Sequence, residues 1–91
     1  MTRSAAFCVL RDACDLIPYL VGHYLRAGFD RLLIVDDGST DGSRAALAEF
    51  AKLGDRITVR HRDEAVFDQQ GVMNAAAAEL AADGFDLLLP F

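Results

Sequence analysis

Four short apolar runs without helical spacing alternate along this chain with three stretches whose apolar residues recur at i, i+3 and i+4. That alternation leaves few folds open. Strands separated by helices of this length are joined by right-handed crossovers, so the strands run parallel and the helices cover the faces of the sheet. The expected class is α/β, a three-layer sandwich with a mostly parallel sheet of about four strands alternating with three helices. The chain has 91 residues, which suffices for one small domain and no more.

The first run, residues 5–10, is a buried strand that stops at Arg11, Asp12 and Ala13. Leu16, Ile17, Leu20, Val21, Tyr24 and Leu25 then form the stripe of an amphipathic helix. Asp15 suits its N-cap, Pro18 lies in the tolerated first turn, and Gly28 suits its stop. Residues 31–35 read as a second strand, followed by the densest turn chemistry in the chain, Asp36-Asp37-Gly38-Ser39-Thr40-Asp41-Gly42-Ser43. A second helix places Ala46, Leu47, Phe50, Ala51 and Leu53 on one face and ends at Gly54. Residues 57–60 form a third strand, and residues 61–70 a polar loop carrying Val66 and Phe67. An alanine-rich helix over about residues 70–82 packs Val72, Met73, Ala76 and Leu80, and residues 85–91 form a fourth strand. The last strand is apolar on both faces and needs covering layers, so the chain is expected to be the N-terminal part, residues 1–91, of one domain that continues further.

Several classes are excluded by composition. Hydrophobic residues at 53 % and charged residues at 25 % describe a globular chain. A net charge of −5 argues against a nucleic-acid binder, whose affinity for a polyanion comes from clustered Lys and Arg, but leaves a single bound nucleotide open. No stretch approaches the roughly 20 apolar residues of a spanning helix, and residues 1–11 lack the apolar centre of a signal peptide, so a cytoplasmic location without a membrane segment is expected. Cys8 and Cys14 fit neither a redox pair nor a zinc knuckle and read as small apolar residues. A calcium loop starting at Asp37 would need Glu at its twelfth position, where Ala48 stands. Arg11-Asp12-Ala13-Cys14 lacks the glycines of a dinucleotide turn or a phosphate-binding P-loop.

In a parallel sheet, ligands bind beyond the carboxyl ends of the strands, where all three polar loops fall. Two adjacent carboxylates, Asp36 and Asp37, can accept hydrogen bonds from a base or ribose, while N–H groups at the following helix start face an anion. The alternative is that both are solvated turn residues and that Asp41 or Ser43 caps the helix. His23 reads as a packed or surface histidine. His61, with Arg62 and Asp63, either touches a ligand or lies in a solvated loop. Gln70 and Asn74 share a helical face at i, i+4 and either point into a site or exchange a hydrogen bond.

The segment Val35-Asp36-Asp37-Gly38-Ser39-Thr40-Asp41-Gly42 resembles the nucleotide-recognition segment of GT-A-fold glycosyltransferases, especially the large family-two-like group. Arg11-Asp12-Ala13-Cys14-Asp15-Leu16-Ile17-Pro18, with His23-Tyr24-Leu25 and Ala27-Gly28, is similar to the pattern of that group's first strand and helix. Gln70 and Asn74 resemble its polar pair before the metal-binding strand, and Leu87-Leu88-Leu89-Pro90-Phe91 resembles the strand that leads into an Asp-x-Asp motif. The resemblance implies a Rossmann-like nucleotide-binding half. In it Asp37 would accept from the base of a nucleoside diphosphate sugar, linked to UDP, GDP or dTDP, and Asp36 would support the loop or the ribose. Leu10, Arg11 and Asp12 would form the other wall of the base pocket, with Gln70, Asn74 and His61 as further donor-site candidates. Mg²⁺ or Mn²⁺ would be held just beyond Phe91, the acceptor would be a saccharide or a lipid-linked group, and no catalytic residue would fall within these 91 residues.

Two rival readings come from other classes. A flavodoxin-like or receiver-like regulatory module would use the acidic cluster as a switch, but the third strand ends in Arg60-His61-Arg62 where such a module wants a phosphoacceptor. The other is an interaction domain without catalysis.

Overall fold

The computed structural model describes residues 3–52, 54, 56–62 and 69–91. They form β1 (Ser4–Leu10), α1 (Ile17–Arg26), β2 (Arg31–Asp37), α2 (Ser43–Ala51), β3 (Ile57–Arg62), α3 (Gln69–Ala82) and β4 (Leu87–Pro90). All the strand pairings are parallel, in the order β3-β2-β1-β4, which is the Rossmann-like α/β arrangement. Leu53, Asp63, Val66 and Phe67 lie outside the described residues.

The period of two in β1 and β2 sorts the core into two layers. Ala6, Cys8 and Leu10 of β1 and Leu32 and Ile34 of β2 pack with Ile17, Val21 and Leu47 of α1 and α2. Ala5, Phe7, Leu33 and Val35 point to the other face, against Ala76 and Leu80 of α3 and against Phe85. The α1–α2 layer is closed at the sheet's edge by Phe91, stacked on Tyr24 with ring centroids 3.9 Å apart. Burial pushes the Cys8 thiol up to about 12, as expected of a cysteine that serves as a small core residue. Cys14 is half-buried, and neither cysteine is in a disulfide.

Several boundaries differ from the sequence reading. Helix α1 begins at Ile17 after Leu16, with no side-chain cap, because residues 13–16 form a turn closed by Leu16 N–H donating to the Ala13 carbonyl at 2.9 Å. Asp15 is therefore not the cap, whereas Pro18 does occupy the first turn and Gly28, with φ +92°, ends the helix. Strands β2 and β3 run on through Asp36-Asp37 and His61-Arg62, because each pair finds a register partner on the neighbouring strand. Strand β4 starts only at Leu87, since Phe85 N–H donates back to the Leu80 carbonyl and Phe85 plugs the α3 layer. Leu87 and Leu89 of β4 are exposed at 56 and 41 %.

Because β1 to β3 are added in one direction and β4 is added on the far side of β1, the strand order reverses between β1 and β4. A crevice opens at the carboxyl ends of the strands at such a reversal.

Candidate functional site

Adjacent residues on a strand point to opposite faces, so Asp36 and Asp37 do not act as a pair. Both are fully buried, and each has a basic partner directly across on β3: Asp36 opposite His61 and Asp37 opposite Arg62. Leu10 of β1 stands opposite Asp36, and Arg11, the residue after β1, reaches Asp37 with its side chain. Two rows thus cross the sheet's carboxyl edge, Leu10–Asp36–His61 under α1 and α2, and Arg11–Asp37–Arg62 on the α3 side.

In the first row, Asp36 Oδ2 accepts from Arg44 Nε of α2 at 2.9 Å and lies 3.3 Å from His61 Nδ1. Its Oδ1 is buried without a hydrogen-bond partner among the described residues. The carboxylate therefore ties α2 to the sheet. In the second row, a single nitrogen, Arg62 Nη1, is shared between Asp37 Oδ1 at 3.0 Å and Oδ2 at 3.1 Å. Arg11 Nε donates to the Asp37 carbonyl at 2.6 Å, and Arg11 Nη2 stands 3.9 Å from Oδ2. Gly38, with φ +71°, lets the chain turn directly beneath that guanidinium, which a Cβ there would meet at 3.4 Å.

The loops beyond the rows are laced together. Asp12, in the left-handed region at φ 52°, accepts the Thr40 N–H on Oδ1 at 2.7 Å and donates its own N–H to Ser39 Oγ at 2.9 Å. Asp41 accepts N–H groups from Cys14 at 3.1 Å and Ser43 at 2.9 Å. Its carboxyl is held below the ordinary range, first by the Ser43 hydroxyl and then by these backbone donors. The N-cap of α2 is Gly42, so neither candidate cap occupies the cap position itself. Asp41, one residue earlier, nevertheless serves the first helical N–H. Ser43 is buried and donates or accepts on both sides, since its hydroxyl also accepts the Ala13 N–H at 3.1 Å.

Gln70 and Asn74 do not join either row. Gln70 Nε2 donates to Asn74 Oδ1 at 3.0 Å, and both line a cleft of about 510 Å³ with Phe7, Met73, Ala77 and Pro90. That cleft lies over β1 and β4, where the strand order reverses. A second cleft of about 400 Å³ opens on the other side of α3, with an apolar floor of Leu33, Val35, Val72 and Ala76 and with Arg60 and Arg62 at its rim. His61 is exposed at the end of β3 and reaches back to Asp36, and His23 is exposed on α1 beside Tyr24.

A family model described as "Glycosyl transferase family 2" matches residues 15–85. The chain belongs to that family. No curated protein and no solved structure matches it. For a family-two chain, glycosyl transfer is the general activity, with nucleotide-sugar donors and an acceptor as the general partners. No helix among the described residues is long and apolar enough to cross a membrane.

Among the described residues, no three His, Cys, Asp or Glu side chains come together as a metal site. Asp36 and Asp37 do not make one either, since they face opposite ways and each is engaged by a guanidinium. The site residue that sequence reasoning passed over is Arg44, while Arg62 was named beside His61 without its pairing to Asp37. Arg62 was visible only as part of a basic triplet, and its pairing follows once β3 is extended two residues to lie level with Asp37. Arg44 lies eight residues after Asp36, a loop-to-helix contact that no strand or helix period announces.

Proposed function

We propose that this chain is the nucleotide-binding part of a GT-A glycosyltransferase, which binds a nucleoside diphosphate sugar for transfer to a saccharide or lipid-linked acceptor. The observation that carries this reading is Asp37. It is a buried carboxylate at the carboxyl end of an inner strand, in contact with the Arg11 and Arg62 side chains, which are themselves partly exposed. A carboxylate so placed accepts a ring N–H from a base, and the side chains above it can move aside for one.

The remaining candidates take roles that follow from their positions. Arg11 borders Asp37 from the β1 side, Asp12 ties the loop beyond it through Ser39 and Thr40, and Leu10 is buried in the α1–α2 layer on the opposite face of the sheet. Asp36 supports α2 and the acidic loop from below, which suits a supporting role better than contact with ribose. Gln70 and Asn74 sit at the strand-order reversal, the place in an open α/β sheet where the phosphate and sugar parts of a donor fit. His61 is near enough to the same edge to reach a donor. A bound divalent cation, Mg²⁺ or Mn²⁺ by the family pattern, would neutralise charge on the diphosphate leaving group. Its ligands would come from residues following Phe91, in the same domain.

The test is thermal unfolding of the intact protein with UDP, GDP or dTDP in the presence of Mg²⁺. A ligand at about 100 times its Kd stabilises by about 2.7 kcal/mol, a readily measured rise in Tm. A rise with at least one of the three and none with inorganic phosphate supports the reading; no rise with any of them overturns it.

A further inference from the structure

Residues 38–41 join β2 to α2, and no backbone–backbone hydrogen bond among the described residues closes them on themselves. Much of their shape is set from outside, by the residues that follow β1. Arg11 Nε donates to the Asp37 carbonyl at 2.6 Å, the Asp12 N–H to Ser39 Oγ at 2.9 Å, the Ala13 N–H to Ser43 Oγ at 3.1 Å and the Cys14 N–H to Asp41 Oδ2 at 3.1 Å. One contact runs the other way: Thr40 donates its N–H to Asp12 Oδ1 at 2.7 Å. Asp12 thus both gives and takes a hydrogen bond across the gap, and its carboxylate grips the main chain of the turn. That clasp uses an unusual backbone. Among the described residues Asp12 alone, glycines aside, has a positive φ, at 52°, in the left-handed region that few residues besides glycine, asparagine and aspartate adopt. Asp12, Thr40 and Asp41 are all exposed, so the clasp adds nothing to the core. A strained conformation held at an exposed residue beside a candidate site points to a task other than stability.

We propose that Asp12 is a positioning residue for nucleoside diphosphate binding: its carboxylate fixes the turn 38–41 before the ligand arrives, and it does not itself touch the ligand. The proposal rests on the function argued above and adds the means by which that site is set in the free protein. A turn without main-chain bonds of its own samples many shapes, and a ligand that had to order it would lose affinity to that ordering. Asp12 removes the loss ahead of binding. Its influence reaches both ends of the turn, which leads from Asp37 into the first turn of α2. Two properties of the side chain matter, an acceptor oxygen at the Thr40 N–H and tolerance of the left-handed backbone. Asparagine keeps both, glycine keeps only the second, and alanine keeps neither. Because exposed hydrogen-bonding groups return to water when their bonds break, losing the clasp moves affinity more than stability.

The experiment is calorimetric titration of the intact protein and its Asp12→Asn, Asp12→Gly and Asp12→Ala variants with UDP, GDP and dTDP in Mg²⁺, alongside the unfolding midpoint and amide exchange of each free protein. For the nucleotide that binds the native protein most tightly, Asp12→Gly and Asp12→Ala are expected to weaken binding about five- to tenfold, with Asp12→Asn within about twofold of the native protein. In free Asp12→Gly the Thr40 amide should exchange at least about fivefold faster while the β2 amides keep their native rates. Rescue by asparagine separates positioning from charge, since a residue acting through its charge on the diphosphate or the cation would be lost in Asp12→Asn as fully as in Asp12→Gly. Unchanged affinity in Asp12→Gly, or Asp12→Asn as weak as Asp12→Gly, overturns the proposal and leaves the nucleotide site standing. So does an unfolding midpoint in Asp12→Gly low enough to leave the protein partly unfolded during the titration, which would assign the residue to the fold. Absence of binding by all three nucleotides to the native protein overturns the site and the proposal together.

Discussion

Asp36 and Asp37 are neighbours in sequence, equally buried, and matched one-for-one with a basic residue on β3, yet they serve different ends. Asp36 faces the α1–α2 layer, where Arg44 reaches it from a helix, so its charge fastens one element to another. Asp37 faces the α3 side, where its ion-pair partners are the side chains of Arg62 and Arg11. The lesson is that the strand period, not the acidic composition of the segment, sets the surroundings: one residue's shift along β2 separates the carboxylate tied to a helix from the one proposed to read the base.

The largest expected effect that would sharpen this contrast is on the anchor. Asp36→Ala removes the carboxylate between Arg44 and His61. Breaking a buried pair costs about 3–5 kcal/mol, reduced here to about 2–3 kcal/mol because both partners are partly exposed and can turn to water. Denaturant unfolding measures it, and a loss under about 0.5 kcal/mol would remove the anchor role. Arg44→Ala comes next, at about 1–2 kcal/mol, since Asp36 keeps His61 nearby but loses its helix partner.

A smaller effect concerns the laced loops beyond the rows. Asp41 has a folded pKa below its unfolded value, so its contribution to stability is fully present above the unfolded pKa of about 3.9. That contribution is lost as pH falls through the lower, folded value. Amide exchange of Cys14 and Ser43, whose N–H groups it accepts, should accelerate below about pH 4 relative to the β2 core, and Asp41→Asn should flatten that dependence. Uniform acceleration across β2 would contradict it. The smallest effect is chemical: with its thiol pushed up to about 12, Cys8 should resist iodoacetamide at pH 8 in the native state and react only on unfolding. Mass mapping of the alkylated peptide decides this, and rapid native labelling of Cys8 would mean that the α1–α2 layer opens readily.

Much of the fold was legible because its signals are local. The runs at residues 5–10 and 31–35 are apolar on both faces, which only inner strands of a covered sheet require, and β1 and β2 are those strands. Pro18 and Gly28 bracket α1 as read. The ends of β2 and β3 were not legible, because Asp36, Asp37, His61 and Arg62 read as loop on propensity and become strand only through pairing with each other across the sheet. The same long-range pairing hid the role of Arg62. Gln70 and Asn74 were seen as a pair, but not that α3 carries them to a separate cleft over β1 and β4.

The central claim is that Asp37 reads the nucleotide while Asp36 holds the loop. It is tested most directly by titrating UDP into the intact protein and its Asp37→Asn and Asp36→Asn variants, with the unfolding midpoint of each measured alongside. Both substitutions preserve shape, so the readouts separate recognition from support. The account predicts that Asp37→Asn weakens UDP by at least about tenfold, and that Asp36→Asn keeps UDP affinity within about threefold while lowering the unfolding midpoint more. Unchanged UDP affinity in Asp37→Asn, or an equal loss in both variants, would contradict it.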